Sequence, residues 1–227
     1  MDGNGRWAKR RGRPRAFGHH AGVRSARKVI KAASDAGVEV LTLFAFSQEN
    51  WHRPAEEVSL LMALFVSTLK REMRALEKNG LRWRFIGDHR QFAPELQLLM
   101  RDAETRTAHL DGMVLTIAVG YGGHWDVTQA AQALAQKGEP ITQAAIEAHL
   151  ATAGLPAVDL MIRTGGELRI SNFMLWQLAY AELYFCDTLW PEFTPEELHA
   201  AMHWFAQRNR RFGRVPEAVT STASEAN

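Results

Sequence analysis

Apolar positions along the chain fall into two alternating textures. Short, nearly unbroken apolar runs at "VEVLTLFAFS" (38–47), "LRWRFIGD" (81–88), "MVLTIAVG" (113–120) and "VDLMIRTG" (158–165) read as strands buried on both faces, with "AELYFCD" (181–187) as a fifth. Between them lie helical spacings near 22–36, 54–79, 94–109, 124–136, 142–152 and 194–209. Pro54 followed by Glu56 and Glu57 marks a helix start: proline fits the first turn, and acids there meet the positive end of the helix dipole. The alternation predicts an α/β fold, a single domain over 1–227 with a mainly parallel central sheet flanked by helices. No repeat or linker divides the chain, and only the polar end "TSTASEAN", from about 217 to 227, reads as a disordered tail.

Polar, glycine-containing clusters follow the strands in turn: "SQENWHRP", "GDHR", "GYGGHWD" and "RTGGELRIS". Open α/β sheets bind ligands at the carboxyl ends of their strands. One such cluster is an ordinary turn; four on one edge predict a site. Behind them, Val58, Leu61, Met62, Phe65, Leu69, Met73 and Leu76 form one apolar helix face, widened by Leu60 and Leu64. Plain core, a dimer interface and the wall of a hydrocarbon channel all fit that width.

Composition changes this picture little. At 227 residues, 46% hydrophobic and 23% charged, the chain is an ordinary globular domain large enough for a sizeable core. A net charge of +2 argues against a general polyanion binder, so any anion preference is local. It is concentrated at the start, where Arg6, Lys9, Arg10, Arg11, Arg13 and Arg15 face one acid, Asp2. The single cysteine, Cys186, excludes an internal disulfide and suits a reducing compartment. No apolar leader or membrane-length run is present, so a cytoplasmic location is expected.

In "RTGGELRIS", Arg163 leaves a strand, two glycines permit close backbone approach, and Arg169 and Ser171 add donors suited to phosphate. A turn with two solvent-facing arginines is the equal alternative. Ser47 to Asn50 reads as a helix cap, although Trp51 and Arg53 exceed what a cap requires. "GNGRWA" matches a dinucleotide fingerprint only formally, since no strand precedes it. The basic run resembles a nucleic-acid arm, but no basic stripe continues it and no nucleic-acid partner is expected. His19 and His20 lack metal-ligand partners at useful spacing, which leaves anion donation or a solvated turn. Glu182, among apolar neighbours, calls for a salt bridge or a cation.

Taken in order, "MDGNGRWA" (1–8), "GH" (18–19), "FSQENWHRP" (46–54), "RFIGD" (84–88), "IAVGYGGHWD" (117–126), "RTGGELRIS" (163–171), "LWQLAYAELYF" (175–185) and "RRFG" (210–213) resemble the cis-prenyltransferase family over nearly the whole chain. The resemblance implies Mg²⁺-dependent, sequential condensation of isopentenyl diphosphate onto farnesyl diphosphate, giving a long polyprenyl diphosphate, in a homodimer that contacts the membrane surface transiently. It implies a tunnel for the prenyl chain, with small Ala45 on its wall. Asp2 would be the catalytic aspartate and a Mg²⁺ ligand, with Glu182 as a second ligand. Gly3, Asn4, Gly5 and Arg6, helped by Arg15 and His19, would cradle the allylic diphosphate, and Trp7 and Trp51 would flank the start of the prenyl chain. Asn50, within Ser47–Gln48–Glu49–Asn50, would assist proton removal, and Arg53 would add a substrate contact. Arg163, Arg169, Ile170 and Ser171 would bind isopentenyl diphosphate, while "RFG" (211–213) would reach the partner subunit's site.

Three departures stand out. The apolar strand usual before this "MDGN" does not precede Met1, so the first strand is expected to be missing. Gly120 and His124 replace the family's commoner Asn and Arg, and Leu168 stands where some members carry histidine. A catalytically silent partner subunit is the alternative reading.

Overall fold

The computed structural model describes residues 1–208, apart from the side chains of 74–78. The "RFG" segment, the tail and the Leu76 side chain lie outside the described residues. In chain order the elements are α1 (Asn4–Lys9), α2 (Arg15–Asp35), β1 (Val40–Ser47), a 3₁₀ turn (Gln48–His52), α3 (Ala55–Lys78), β2 (Arg82–Ile86), α4 (Pro94–Thr107), β3 (Val114–Tyr121), α5 (Gly123–Lys137), α6 (Gln143–His149), β4 (Leu160–Arg163), β5 (Glu182–Phe185), a second 3₁₀ turn (Trp190–Glu192) and α7 (Pro195–Ala206).

All five predicted strands form, and every pairing is parallel. Central β3 lies between β1 and β2, and β4 pairs with β5 in a separate two-stranded sheet. The sequence predicts one sheet. The structure has two because β1 and β4 make no ladder with each other and instead both line a cavity. Residues 115–121 of β3 are buried throughout, which accounts for its unbroken apolar run. Leu69 and Met73 of α3 close on that core with Trp83, Phe85, Leu115 and Ile117.

Two helical features depart from the periodicity. Helix α1 was not visible, and α2 begins at Arg15 instead of near 22. Both follow from close packing: a Cβ on Gly18 would lie 2.0 Å from the Asn4 carbonyl, so glycine lets the two helices touch. Glycines in a first turn weaken the sequence signal for a helix while making its packing possible.

Buried Asp126 anchors the first turn of α5. Its carboxyl accepts hydrogen bonds from the Tyr121 hydroxyl (2.8 Å), the Ala151 amide (2.7 Å) and the Gln177 and Gln129 side chains (3.0 and 3.3 Å). Burial and the neighbouring Asp126 push the Tyr121 hydroxyl pKa up, so it stays a donor. This network fixes the end of β3 against the segment that follows β4.

Candidate active site

The carboxyl end of β4 gathers the first group of charges. Asp2 is held by its backbone: its N–H donates to Thr164 Oγ1 (3.0 Å), whose hydroxyl in turn donates to the Asp2 carbonyl (2.9 Å). Its carboxyl accepts from the Gly3 N–H (2.6 Å) and from Arg163 (3.2 Å), and pairs with Arg6 at 3.4 Å. Burial alone would raise the Asp2 pKa. The Arg163 and Gly3 hydrogen bonds and the Arg6 and Arg163 charges outweigh it and hold the carboxyl below its usual range. Gly165 sits at φ +92°, where a Cβ would come 2.7 Å from the Arg6 guanidinium, so this turn requires glycine.

Arg163 links two loops. Its other guanidinium nitrogen donates to Ser171 Oγ (2.8 Å) and to the Arg169 carbonyl. Arg169 itself is exposed and pairs with Glu167 at 2.6 Å. Glu167 also pairs with Arg6 at 3.6 Å.

A second group centres on Glu57 in the first turn of α3. It takes Arg53 at 2.9 Å and Arg15 at 3.2 Å, with His19 at 4.0 Å. Burial, with Arg53 alongside, pushes the His19 imidazole pKa down to about 4, so the ring is neutral at neutral pH. Its Nε2 is buried without a hydrogen-bond partner and its side chain lines the cavity, which fits a donor or acceptor reserved for a ligand.

After β1, Asn50 Oδ1 accepts from the Ser47 N–H (3.1 Å) in a capping box. The cap is real, but it closes the 3₁₀ turn at 48–52 and not the following helix. Glu49 accepts from Asn172 (2.7 Å); burial would raise its pKa, and the hydrogen bonds from Asn172 and Ser47 bring it below the usual range.

These groups ring one end of a cavity of 1210 Å³ that runs between β1, β4, α2 and α3. Asp2, Gly3, Asn4, Gly5, Arg15, His19, Ser47, Glu49, Asn50, Arg53, Arg163, Ile170 and Ser171 line it. Deeper in, the walls are apolar: Ala26, Val29, Ile30, Leu43, Ala45, Leu61, Met62, Leu64, Phe65, Leu115 and Ile117. The wide apolar face of α3 is therefore both core and cavity wall, while Leu60 is 58% exposed.

A divalent cation fits Asp2 in a limited sense. Its carboxyl is 40% exposed and faces the arginines that suit a diphosphate. Magnesium commonly takes one or two carboxylates, keeping waters and substrate phosphates for its other positions. Glu182 does not converge on Asp2: it pairs in register with Leu160 at the amino end of β5, whereas Arg163, which holds Asp2, pairs with Phe185. Among the described residues no cluster of three or more acids, histidines or cysteines forms a ready-made metal site.

Other sequence candidates lie outside the lining. Trp7 stacks on Phe17 at 5.6 Å and donates to Glu192, while Trp51 packs against Phe46 and Phe92 at 4.9 and 5.0 Å. Arg6 and Arg169 reach the site through their ion pairs, and Gln48 stands in the 3₁₀ turn. Sequence reasoning missed Thr164, Glu167 and Asn172, and read Glu57 only as a helix-dipole acid. Gly120 has a local cause: at φ +65° its Cβ would lie 2.6 Å from the Asp88 carbonyl and 2.9 Å from the Phe92 ring, so in this chain the position takes glycine.

A family model described as "Putative undecaprenyl diphosphate synthase" matches residues 1–213. A farnesyl-diphosphate-specific ditrans,polycis-undecaprenyl-diphosphate synthase from Vibrio parahaemolyticus is 54% identical, over 96% of this chain and 90% of that protein. One of the same description from Pseudomonas aeruginosa is 53% identical, over 98% and 92%. Lavandulyl diphosphate synthase from Lavandula x intermedia, solved with dimethylallyl diphosphate, matches with a TM-score of 0.90 at 35% identity, covering 94% of this chain and 95% of that one. A probable undecaprenyl diphosphate synthase from Campylobacter jejuni matches with a TM-score of 0.79 at 33% identity, over 86% and 93%.

Proposed function

The chain belongs to the undecaprenyl diphosphate synthase family of prenyltransferases, and from that premise we propose how its residues carry out the reaction. The enzyme condenses isopentenyl diphosphate successively onto farnesyl diphosphate, giving a long cis-polyprenyl diphosphate, the carrier-lipid precursor of cell-wall polysaccharide. The observation that carries this reading is the junction of a guanidinium-lined mouth with a deep apolar cavity of 1210 Å³, beyond the roughly 300–1,000 Å³ of ordinary small-molecule pockets.

In this reading Asp2, Gly3, Asn4, Gly5, Arg6, Arg15 and His19 hold the allylic diphosphate. Arg163, Arg169, Ile170 and Ser171 hold that of isopentenyl diphosphate, and Arg163, bonded to both Asp2 and Ser171, keeps the two a fixed distance apart. As the allylic C–O bond breaks, the arginines stabilise charge gathering on the leaving diphosphate. The isopentenyl double bond forms the new C–C bond, and the proton then lost passes to an oxygen of the departing diphosphate, with Asn50, in Ser47–Gln48–Glu49–Asn50, assisting its removal. Asp2 would hold Mg²⁺, which when bound would supply Lewis-acid help to the leaving group. Trp7 and Trp51 support the mouth through packing, and Arg53 through Glu57.

A homodimer would cover the free edge of β5, beside which Tyr180 and Leu183 are 74% and 38% exposed. Transient contact with anionic lipid would use exposed Lys9, Arg10 and Arg13 beside Phe17. No helix among the described residues is long and apolar enough to cross a membrane, and a cytoplasmic location follows from this reading.

The test is incubation with farnesyl diphosphate, labelled isopentenyl diphosphate and Mg²⁺, with and without EDTA, resolving product lengths. A metal-dependent ladder is expected, and Asp2→Ala should lower turnover at least a thousandfold while the unfolding midpoint stays near the parent's. Near-normal turnover of Asp2→Ala would remove Asp2 from its role. A single condensation product would keep the chemistry and overturn chain elongation.

A further inference from the structure

We infer that Asn172, which the sequence reading passed over, is a positioning residue: it locks the loop carrying Arg169 and Ser171 onto the turn carrying Glu49 and Asn50, and so sets where isopentenyl diphosphate is held. This rests on the substrate reading above and adds a residue and a mechanism to it.

Every polar group of Asn172 beyond its own N–H is engaged, with two different elements. Its carbonyl accepts from the Gly123 N–H (2.6 Å) and its Oδ1 from the His124 N–H (2.9 Å). Those amides belong to the first turn of α5, where a helix has no internal partners for its donors and where Gly122, the N-cap, supplies no side chain. Asn172 thus caps α5 from the far side of the site. Its Nδ2 donates to Glu49 Oε1 (2.7 Å), on the turn next to Asn50. Gly122 is kept small by the same contact, since a Cβ there would come 2.7 Å from Nδ2.

The backbone agrees. Ser171, Asn172 and Met174 are the three non-glycine residues with positive φ among the described residues, at 48°, 59° and 46°. Such conformations persist where the surroundings over-determine them, and they gather at functional sites. Here Arg163 fixes Ser171, and bonds to Gly123, His124 and Glu49 fix Asn172, the next residue. Helix α5 makes a firm anchor, because buried Asp126 ties its first turn to Tyr121, Ala151 and Gln177. The Asn172–Glu49 bond is itself exposed, and an exposed hydrogen bond contributes little to global stability. Its effect is therefore on loop placement.

Chemistry separates placement from folding. Asn172→Gly keeps the left-handed backbone and the carbonyl bond to Gly123 but deletes both side-chain bonds. Asn172→Asp keeps an acceptor for His124 and sets a carboxylate against Glu49. Combining Asn172→Asp with Glu49→Gln reverses the bond, the amide now donating from position 49 to the carboxylate at 172.

The experiment measures kcat, KM for isopentenyl diphosphate and KM for farnesyl diphosphate at saturating Mg²⁺, together with urea midpoints. Arg169→Ala and Ser171→Ala run as companions. Asn172→Gly and Asn172→Asp should raise KM for isopentenyl diphosphate about tenfold. KM for farnesyl diphosphate should change less than twofold, with the unfolding midpoint unmoved in Asn172→Asp, which keeps the acceptor for His124. Asn172→Asp/Glu49→Gln should recover most of the loss relative to Glu49→Gln alone. If the companions raise KM for isopentenyl diphosphate and the Asn172 variants do not, the positioning role is wrong and the substrate reading stands. Failure of the double variant to recover, or a loss in Asn172→Asp matched by a falling urea midpoint, also overturns it. If Arg169→Ala and Ser171→Ala leave that KM unchanged, the substrate reading fails and takes this inference with it.

Discussion

His19 offers a prediction whose size can be worked from its surroundings. Burial and Arg53 take its pKa from 6.5 to about 4, only partly opposed by Glu57. Between those values the unfolded chain binds a proton that the folded chain refuses. Stability from this group is therefore fully present above about pH 6.5, falls as pH drops, and levels off near pH 4 where the folded ring also protonates. Integrated from neutral pH to pH 5, the loss is about 2 kcal/mol at 1.36 kcal/mol per tenfold change. At a urea slope of about 2 kcal/mol/M that is close to 1 M in midpoint. The side chain is 17% exposed, so solvent screening reduces this only modestly. The assay is urea unfolding followed by tryptophan fluorescence at pH 7.5, 6.5, 5.5 and 5.0 for the parent and His19→Gln. His89, whose pKa burial also lowers, contributes to both proteins and cancels in the difference. The gap between the two curves should shift by about 2 kcal/mol in favour of His19→Gln on acidification. Saturating inorganic diphosphate should shrink that shift, because negative charge near Nε2 favours the imidazolium. Parallel curves at all four pH values would refute the reasoning.

Two further substitutions probe the scaffold and the mouth. Asp126→Ala strands the buried Tyr121 hydroxyl and the half-buried Ala151 amide, at about 1–3 kcal/mol each, beside two glutamine side chains that can turn to other partners. Calorimetry should show a melting point lower by roughly 10 °C for a chain of this size, and a loss of under 2 °C would mean the donors find other partners. Gly165→Ala must hold φ +92° with its Cβ against Arg6, at a cost of about 1–3 kcal/mol. It should raise KM for farnesyl diphosphate at least tenfold, and an unchanged KM would show that the turn does not position Asp2 and Arg6.

The fold class was legible because strand and helix periods alternate, and β3, buried along nearly its whole length, is apolar apart from Thr116 and the Tyr121 hydroxyl. Helix α1 was not, because its six residues bury only Ala8 and its stability comes from contact with Gly18 and Gly22, which no local pattern encodes. Within the site, residue types and strand-end positions were legible while partners were not. Glu57 reads as a helix-dipole acid, yet three basic side chains converge on it from α2 and from the turn after β1. Trp7 reads as a substrate contact through the resemblance alone, and the structure stacks it on Phe17 with its N–H donated to Glu192. Ser47 and Asn50 show the two levels at once: their residue types and spacing predict a cap and a place at a ligand edge, and the three-dimensional arrangement shows that the cap closes the 3₁₀ turn and not the helix after it.

Those pairings bear on how the site selects its ligands. Each guanidinium at the mouth already has a carboxylate: Arg6 and Arg163 have Asp2, Arg15 and Arg53 have Glu57, and Arg169 has Glu167. A single negative charge entering here would only exchange one carboxylate for another at similar strength. A diphosphate brings several charges and bidentate geometry, so it can displace the internal partner with a net gain. The arginines are thereby held extended and preorganised at little cost, and the ion pairs act as a threshold against weaker anions. Arg163 is the point where this threshold couples the two loops, since its guanidinium touches Asp2 on one side and Ser171 on the other. In the proposed reading an allylic diphosphate would compete with Asp2 for Arg163, while Ser171 would keep the same guanidinium tied to the loop of the second diphosphate, so the charge pairing would link the two substrate positions.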